Sequence, residues 1–213
     1  MNPKLNYKGM EELFPTPLWI YDIEDQNVCL ELEKISLDLR VAGTGKEWVG
    51  NWYSEDTIHE LPSMQLFSNL ILDVTSNILD FLKLKRDSHY ISNMWFNATK
   101  PDHRFGRHLH PNCLLSGIFY VKAPTGCAST NFFDPRPAAE MFEPNYTETT
   151  RYNLRNRWID SVQGRLVIFP AWLQHGVDDG FSQEDYSQDR VVLAFNINMR
   201  GEIVTKTSKL KLV

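Results

Sequence analysis

The chain has 213 residues, a formal net charge of -5, 42% hydrophobic residues and 23% charged ones. That length suits one domain and the balance suits a soluble globular protein, which excludes a disordered or low-complexity chain. No basic patch points to nucleic acid, and no stretch approaches the ~18 apolar residues of a membrane span.

Residues 1 to 13 read as a polar lead-in without the apolar core of a signal peptide, so the expected location is the cytosol. Phe14 to Ile23 reads as a first strand, with prolines tolerated at its start. From 24 to 42, Val28, Leu32, Ile35 and Leu39 recur at helical spacing, and Gly43-Thr44-Gly45 ends that helix. Trp48 to Trp52 is aromatic and flanked by glycine, a short strand or a loop. A second helix is expected over 61 to 84, where Leu66, Leu70, Val74, Ile78 and Leu82 step by four and Pro62 suits a first turn.

Past Lys85 the pattern changes to short strand-like runs divided by Gly, Pro and Asn. These are Tyr90 to Ala98, Leu114 to Val121, Ala128 to Phe133, Arg157 to Ser161, Arg165 to Phe169 and Val191 to Met199. The reading is a mainly β chain, an antiparallel sandwich or jelly roll supported by two N-terminal helices, forming a single domain over 1-213. The tail Lys206 to Leu212 reads as a solvated terminus, and the polar insertion Pro135 to Arg155 as a surface excursion or a lid. Three scattered cysteines, Cys29, Cys113 and Cys127, without a C-x-x-C pattern, suit a reducing compartment and no disulfide.

The chemistry is concentrated in three stretches. Arg107-His108-Leu109-His110-Pro111-Asn112 places two histidines at i and i+2, which in an extended strand share one face and can aim at one ion. The run Gly164 to Phe169 leads through Pro170 to a lone His175, and a later strand opens with Arg190. Three imidazoles suit iron, zinc, copper or nickel and do not name the ion. Arg190 narrows the choice, because a planar guanidinium beside a metal can anchor the far carboxylate of a dicarboxylate cosubstrate.

The order of these motifs resembles the iron(II)- and 2-oxoglutarate-dependent oxygenases, and more narrowly the prolyl-hydroxylase-like oxygenases of marine bacteria and their phages. The resemblance is carried by Phe14 to Trp19, Trp95-Phe96-Asn97, Ser116-Gly117-Ile118-Phe119-Tyr120, Asp134-Pro135-Arg136, the run into His175 and Arg190 to Asn196. It implies a double-stranded β-helix (cupin-like jelly roll) in which iron(II) is held by the first histidine motif and His175. It also implies that 2-oxoglutarate is anchored by Arg190 with Tyr120 as a hydrogen-bond partner and Asn97 nearby, and that O2 is the oxidant. Turnover would hydroxylate a substrate C-H bond and release succinate and CO2.

One departure stands out: the usual triad is His-x-Asp or His-x-Glu with a distant His, and here no carboxylate follows. Two registers are open, His108 with His110 or His110 with Asn112; the first is preferred because imidazole is the better ligand and Pro111 disturbs the strand the second requires. Neutral ligands leave iron(II) its full charge, which dianionic 2-oxoglutarate would balance. The alternative is a cupin-like isomerase or metal-binding sandwich without 2-oxoglutarate, for which Gly164, Pro170 and His175 also have the spacing. His59, His89 and His103 lack a partner at strand spacing and are expected at the surface or in packing.

The substrate is not named by these residues. Arg136, Trp172 and Asn112 are candidate substrate contacts, as are Trp48, Trp52, Phe181 and Arg151. The expected partner is a small molecule or a peptide side chain, neither nucleic acid nor membrane, with a homodimer left open and a host-cell cytoplasm implied if the chain is phage-encoded.

Overall fold

The structure is a computed structural model describing residues 5-100, 103-136, 141, 144-178, 188-204 and 207-212. Its main regular element is antiparallel sheet. A larger sheet has the order β1 (Trp19–Asp22), β9 (Arg165–Pro170), β6 (Leu115–Lys122), β11 (Arg190–Val204), β4 (Ser88–Thr99), β3 (Asn51–Tyr53), β2 (Lys46–Trp48), with β12 (Lys209–Leu212) paired to the end of β11. A smaller sheet runs β5 (Phe105–His108), β10 (His175–Asp178), β7 (Ser129–Phe133), β8 (Asn156–Ile159). From β4 to β11 the chain passes back and forth between the two sheets, with β7 and β8 both in the smaller one, and the result is the expected double-stranded β-helix.

Alternation decides which residues do what. On β4, β6 and β11, Phe96, Phe119, Leu193 and Phe195 point to one face and are covered by helix α1 (Gln26–Val41) and helix α2 (Gln65–Phe81). The other face turns Tyr120, Val192, Val167 and Phe169 into the barrel, where they meet Phe132 from the smaller sheet. α1 begins at Asp25, whose carboxylate accepts from the Asn27 N-H at 3.0 Å, a helix N-cap.

Several elements differ from the sequence expectation. The first strand shortens to Trp19–Asp22, because Pro15 and Pro17 have no N-H for a ladder and Phe14 sits at φ 56°. The second helix is α2 alone, Gln65–Phe81; the stretch before it is two 3-10 turns, Ile58–Glu60 and Pro62–Met64, and Lys83 at φ 54° ends it. Trp48 to Trp52 resolves into a hairpin, β2 and β3, turning at Val49 and Gly50 with φ 50° and 74°, the signs a two-residue hairpin turn requires. The tail is not merely solvated: Lys209–Leu212 pairs with Gly201–Val204. No helix among the described residues is long and apolar enough to cross a membrane.

Candidate metal centre and cosubstrate cavity

β5 lies antiparallel to β10 with His108 opposite His175. Their rings are 4.4 Å apart between centroids, and the His110 ring is 5.3 Å from His108 and 5.2 Å from His175. One ligand nitrogen from each of the three lies within 4.8 Å of the others, a group that could hold a metal ion. The convergence does not come from one straight strand. β5 ends at His108, and His110 is returned by a turn in which its N-H donates to the Ala171 carbonyl at 3.0 Å and Asn112 adopts φ 62°. Asn112 is exposed and not among the cavity residues, and its backbone carbonyl accepts from Asn198 Nδ2 at 3.0 Å.

The rings are set for ligation by their other nitrogen. His108 Nδ1 faces the Gly106 carbonyl at 2.8 Å and His175 Nδ1 the Leu173 carbonyl at 3.0 Å. A carbonyl only accepts, so each Nδ1 carries the proton and each Nε2 keeps its lone pair. Burial pushes His175 down to about 3, with His108 and His110 adding to the depression. Burial also pushes His110 down to about 4, helped by His108 and opposed by a hydrogen bond to Asn196. Both rings are therefore neutral at physiological pH, the form a metal requires.

The histidines open into a cavity of about 490 Å³ that Arg190 also lines. Arg190 is 5% exposed, donates from Nε to Ser161 Oγ at 3.3 Å and lies over the Tyr120 ring, 5.4 Å from its centroid. Its neighbour Asp189 does not neutralise it, because that carboxylate is held by Arg40 at 3.0 Å and Lys100 at 3.1 Å. Among the described residues no carboxylate pairs with Arg190, and a buried guanidinium without one is costly unless a ligand supplies it. Tyr120 is fully buried and shares a 2.7 Å hydrogen bond with Thr130. Asn97 lines the cavity, and its Oδ1 is buried with no partner, a state that costs about 1–3 kcal/mol if nothing fills it.

These features fit the cofactors: neutral imidazoles for a divalent ion, and a buried guanidinium without a carboxylate partner for a dicarboxylate. The cupin-like alternative gives no reason for an unpaired buried arginine at this place.

The structure leaves most of the candidate substrate contacts outside this cavity. Arg136 is exposed and pairs with Asp134. Trp172 is 53% exposed, and Trp52 points to the helix-covered face of its strand. Arg151 pairs with Glu12 beside a separate depression. Phe181 lies outside the described residues, as does part of the 135–155 insertion. Trp48 does line the cavity.

Sequence reasoning missed Tyr53, Trp95, His103 and Phe105, all of which line it. His103, expected in a surface or packing role, faces Asn51 Nδ2 through Nδ1 at 2.9 Å on the cavity wall. Trp95 stacks on His110 with a centroid distance of 6.1 Å and was legible as the alternate of Asn97 on one strand face.

The double-stranded β-helix, the three-histidine group and the buried arginine together define a candidate mononuclear metal centre. Residues 93–196 match the family model of 2OG-Fe(II) oxygenases. That segment carries all three histidines and Arg190, so the match spans the candidate site. The prolyl 4-hydroxylase of Pseudomonas putida is similar in fold, with TM-score 0.61 and 14% identity over 87% of this chain and 94% of that one. The collagen prolyl hydroxylase of Paramecium Bursaria Chlorella virus-1, solved with 2-oxoglutarate, gives TM-score 0.54 and 14% identity over 84% and 94%. HygX from Streptomyces hygroscopicus, solved with nickel and 2-oxoglutarate, gives 0.57 and 11% over 86% and 83%. No curated protein matched the sequence.

Proposed function

We propose that this protein hydroxylates a C-H bond of a small molecule or peptide side chain, with iron(II) on His108, His110 and His175 and 2-oxoglutarate anchored by Arg190. The observation that carries the reading is the placement of a buried arginine without a carboxylate partner in the same cavity as three clustered imidazoles. When bound, iron(II) and 2-oxoglutarate supply oxygen activation, with release of succinate and CO2.

The protein's own part is geometry, charge and dryness. Leu173 and Gly106 carbonyls hold the rings of His175 and His108 in the tautomer that presents Nε2. Register runs from Arg190 opposite Thr99, through Val192 opposite Asn97, to Ala194 opposite Trp95, which stacks on His110. Four residues of strand span roughly 13 Å, so a five-carbon diacid fits between guanidinium and imidazoles, alongside Asn97. Tyr120, held by Thr130, supports the guanidinium from the barrel interior. Phe169, Phe132 and Val192 close the inner end against water.

The whole chain is read as one catalytic domain. The three free cysteines support a reducing, cytoplasmic setting, in a bacterial host if the chain is phage-encoded. The test is anaerobic addition of iron(II) and 2-oxoglutarate, which should produce the visible charge-transfer band of the chelate. Arg190→Ala should keep iron binding but raise the 2-oxoglutarate needed for the band by about two orders of magnitude, the worth of a ~3 kcal/mol charge-assisted pair. An unchanged requirement in that variant would remove the assignment.

A further inference from the structure

One rung of the larger sheet crosses five strands on the barrel face: Lys46 on β2, Tyr53 on β3, Asn97 on β4, Val192 on β11 and Tyr120 on β6. Strands lie about 4.8 Å apart, so Tyr53 stands one strand, and Lys46 two strands, beyond Asn97 on the side away from β11. The inner part of the rung belongs to the cosubstrate in the reading above. The outer part lies toward the mouth, where the β2–β3 hairpin meets β5: the Trp48 ring is 6.4 Å from Phe105 and 6.2 Å from Tyr53.

Tyr53 is 8% exposed, lines the cavity, and its hydroxyl is buried with no hydrogen-bond partner. Burial pushes its phenol up, so it remains an O-H donor at neutral pH. Its rung neighbour Lys46 lines the same cavity and makes no ion pair among the described residues; the adjacent Glu47 is occupied by Arg40 at 3.0 Å. Glu47 also lines the cavity, with its charge held by Arg40, so a phenolic donor and an ammonium beside the Trp48 and Phe105 rings match one compact anion attached to an apolar body.

We propose that Tyr53 and Lys46 form the substrate-binding end of the cavity and receive a carboxylate of the prime substrate, a small carboxylic acid whose apolar portion lies against Trp48 and Phe105. The proposal rests on the oxygenase reading, because the C-H bond to be attacked must reach from this anchor to the histidine cluster.

The test uses the full chain loaded anaerobically with manganese(II) and saturating 2-oxoglutarate. It is titrated with 3-phenylpropionate and with the isosteric 3-phenylpropanamide while tryptophan fluorescence is followed. The carboxylate should bind about tenfold tighter than the amide, and Tyr53→Phe and Lys46→Met should each erase most of that preference while leaving amide binding in place. The concentration of 2-oxoglutarate that half-saturates the loaded protein should not move in either variant. Equal binding of the two probes, no binding of the acid, or preserved preference in Lys46→Met overturns the proposal. A Tyr53→Phe variant that weakens 2-oxoglutarate instead assigns the hydroxyl to the cosubstrate and also overturns it. Failure of the wild type to take up manganese and 2-oxoglutarate is a separate result and removes both readings.

Discussion

In the proposed ligand set His110 stands where the resembling family carries an acid, and the consequences of that exchange are local. A carboxylate would bring a negative charge to the ion; His110 brings none, and its ring is kept neutral by burial and by the neighbouring His108. Metal affinity should thus persist below pH 6.5, the ordinary imidazole value, as far as His110 and His175 are concerned. The metal-free protein responds to pH by the same shifts. Both rings titrate lower in the fold, at about 4 and about 3, than in an unfolded chain. Between those values and 6.5 the unfolded state binds more protons, so stability is complete above about 6.5 and is lost as pH falls toward 4. Thermal melts of the apo protein should show Tm falling across that window, and His175→Phe should flatten the fall; an equal slope in the variant would contradict it.

At the scale of elements, the hairpin and the central strands decide where the side chains arrive. β6 crosses β11 with Gly117 opposite Phe195. A Cβ on Gly117 would lie 2.1 Å from Phe195 Cζ, and Phe195 is fully buried under the helices. The Ser-Gly of this strand is thereby explained: the serine Oγ donates to Asn196 at 2.6 Å on the barrel side, and the glycine makes room for a core ring on the other. Gly117→Ala should cost about 1–3 kcal/mol by overpacking, read as a lower urea midpoint with an unchanged m-value. A stability equal to wild type would show that Phe195 repacks freely. The sequence made the two helices and most strands legible, since their apolar periods of 3.6 and 2 survive in any context. It did not show that β5 stops at His108 or that Val49-Gly50 turns a hairpin, because both depend on which chain segment lies alongside.

Across the whole molecule, ligands of the native state alone should raise its stability by mass action. Manganese(II) with 2-oxoglutarate, each at about 100 times its Kd, adds roughly 2.7 kcal/mol per independent site. The Tm should rise with both together, return to the apo value on chelation, and in Arg190→Ala respond to metal but barely to 2-oxoglutarate. A chelator without effect on the loaded protein would contradict a three-histidine site.

By itself the sequence determined the class: helices then strands, a pair of histidines, a third before a late strand, and an arginine to follow, each visible because residue type and spacing are local properties. Only the tertiary structure decided which residues share the cavity. Tyr53, Trp95 and the pair His103 and Phe105 come from three separate places in the chain and meet there because register and sheet packing bring them together, while Arg136, Trp172 and Asn112 fall outside it. Register is fixed by burial of one sheet face under the helices and the other inside the barrel, a condition spread over the whole fold and written in no single stretch of it.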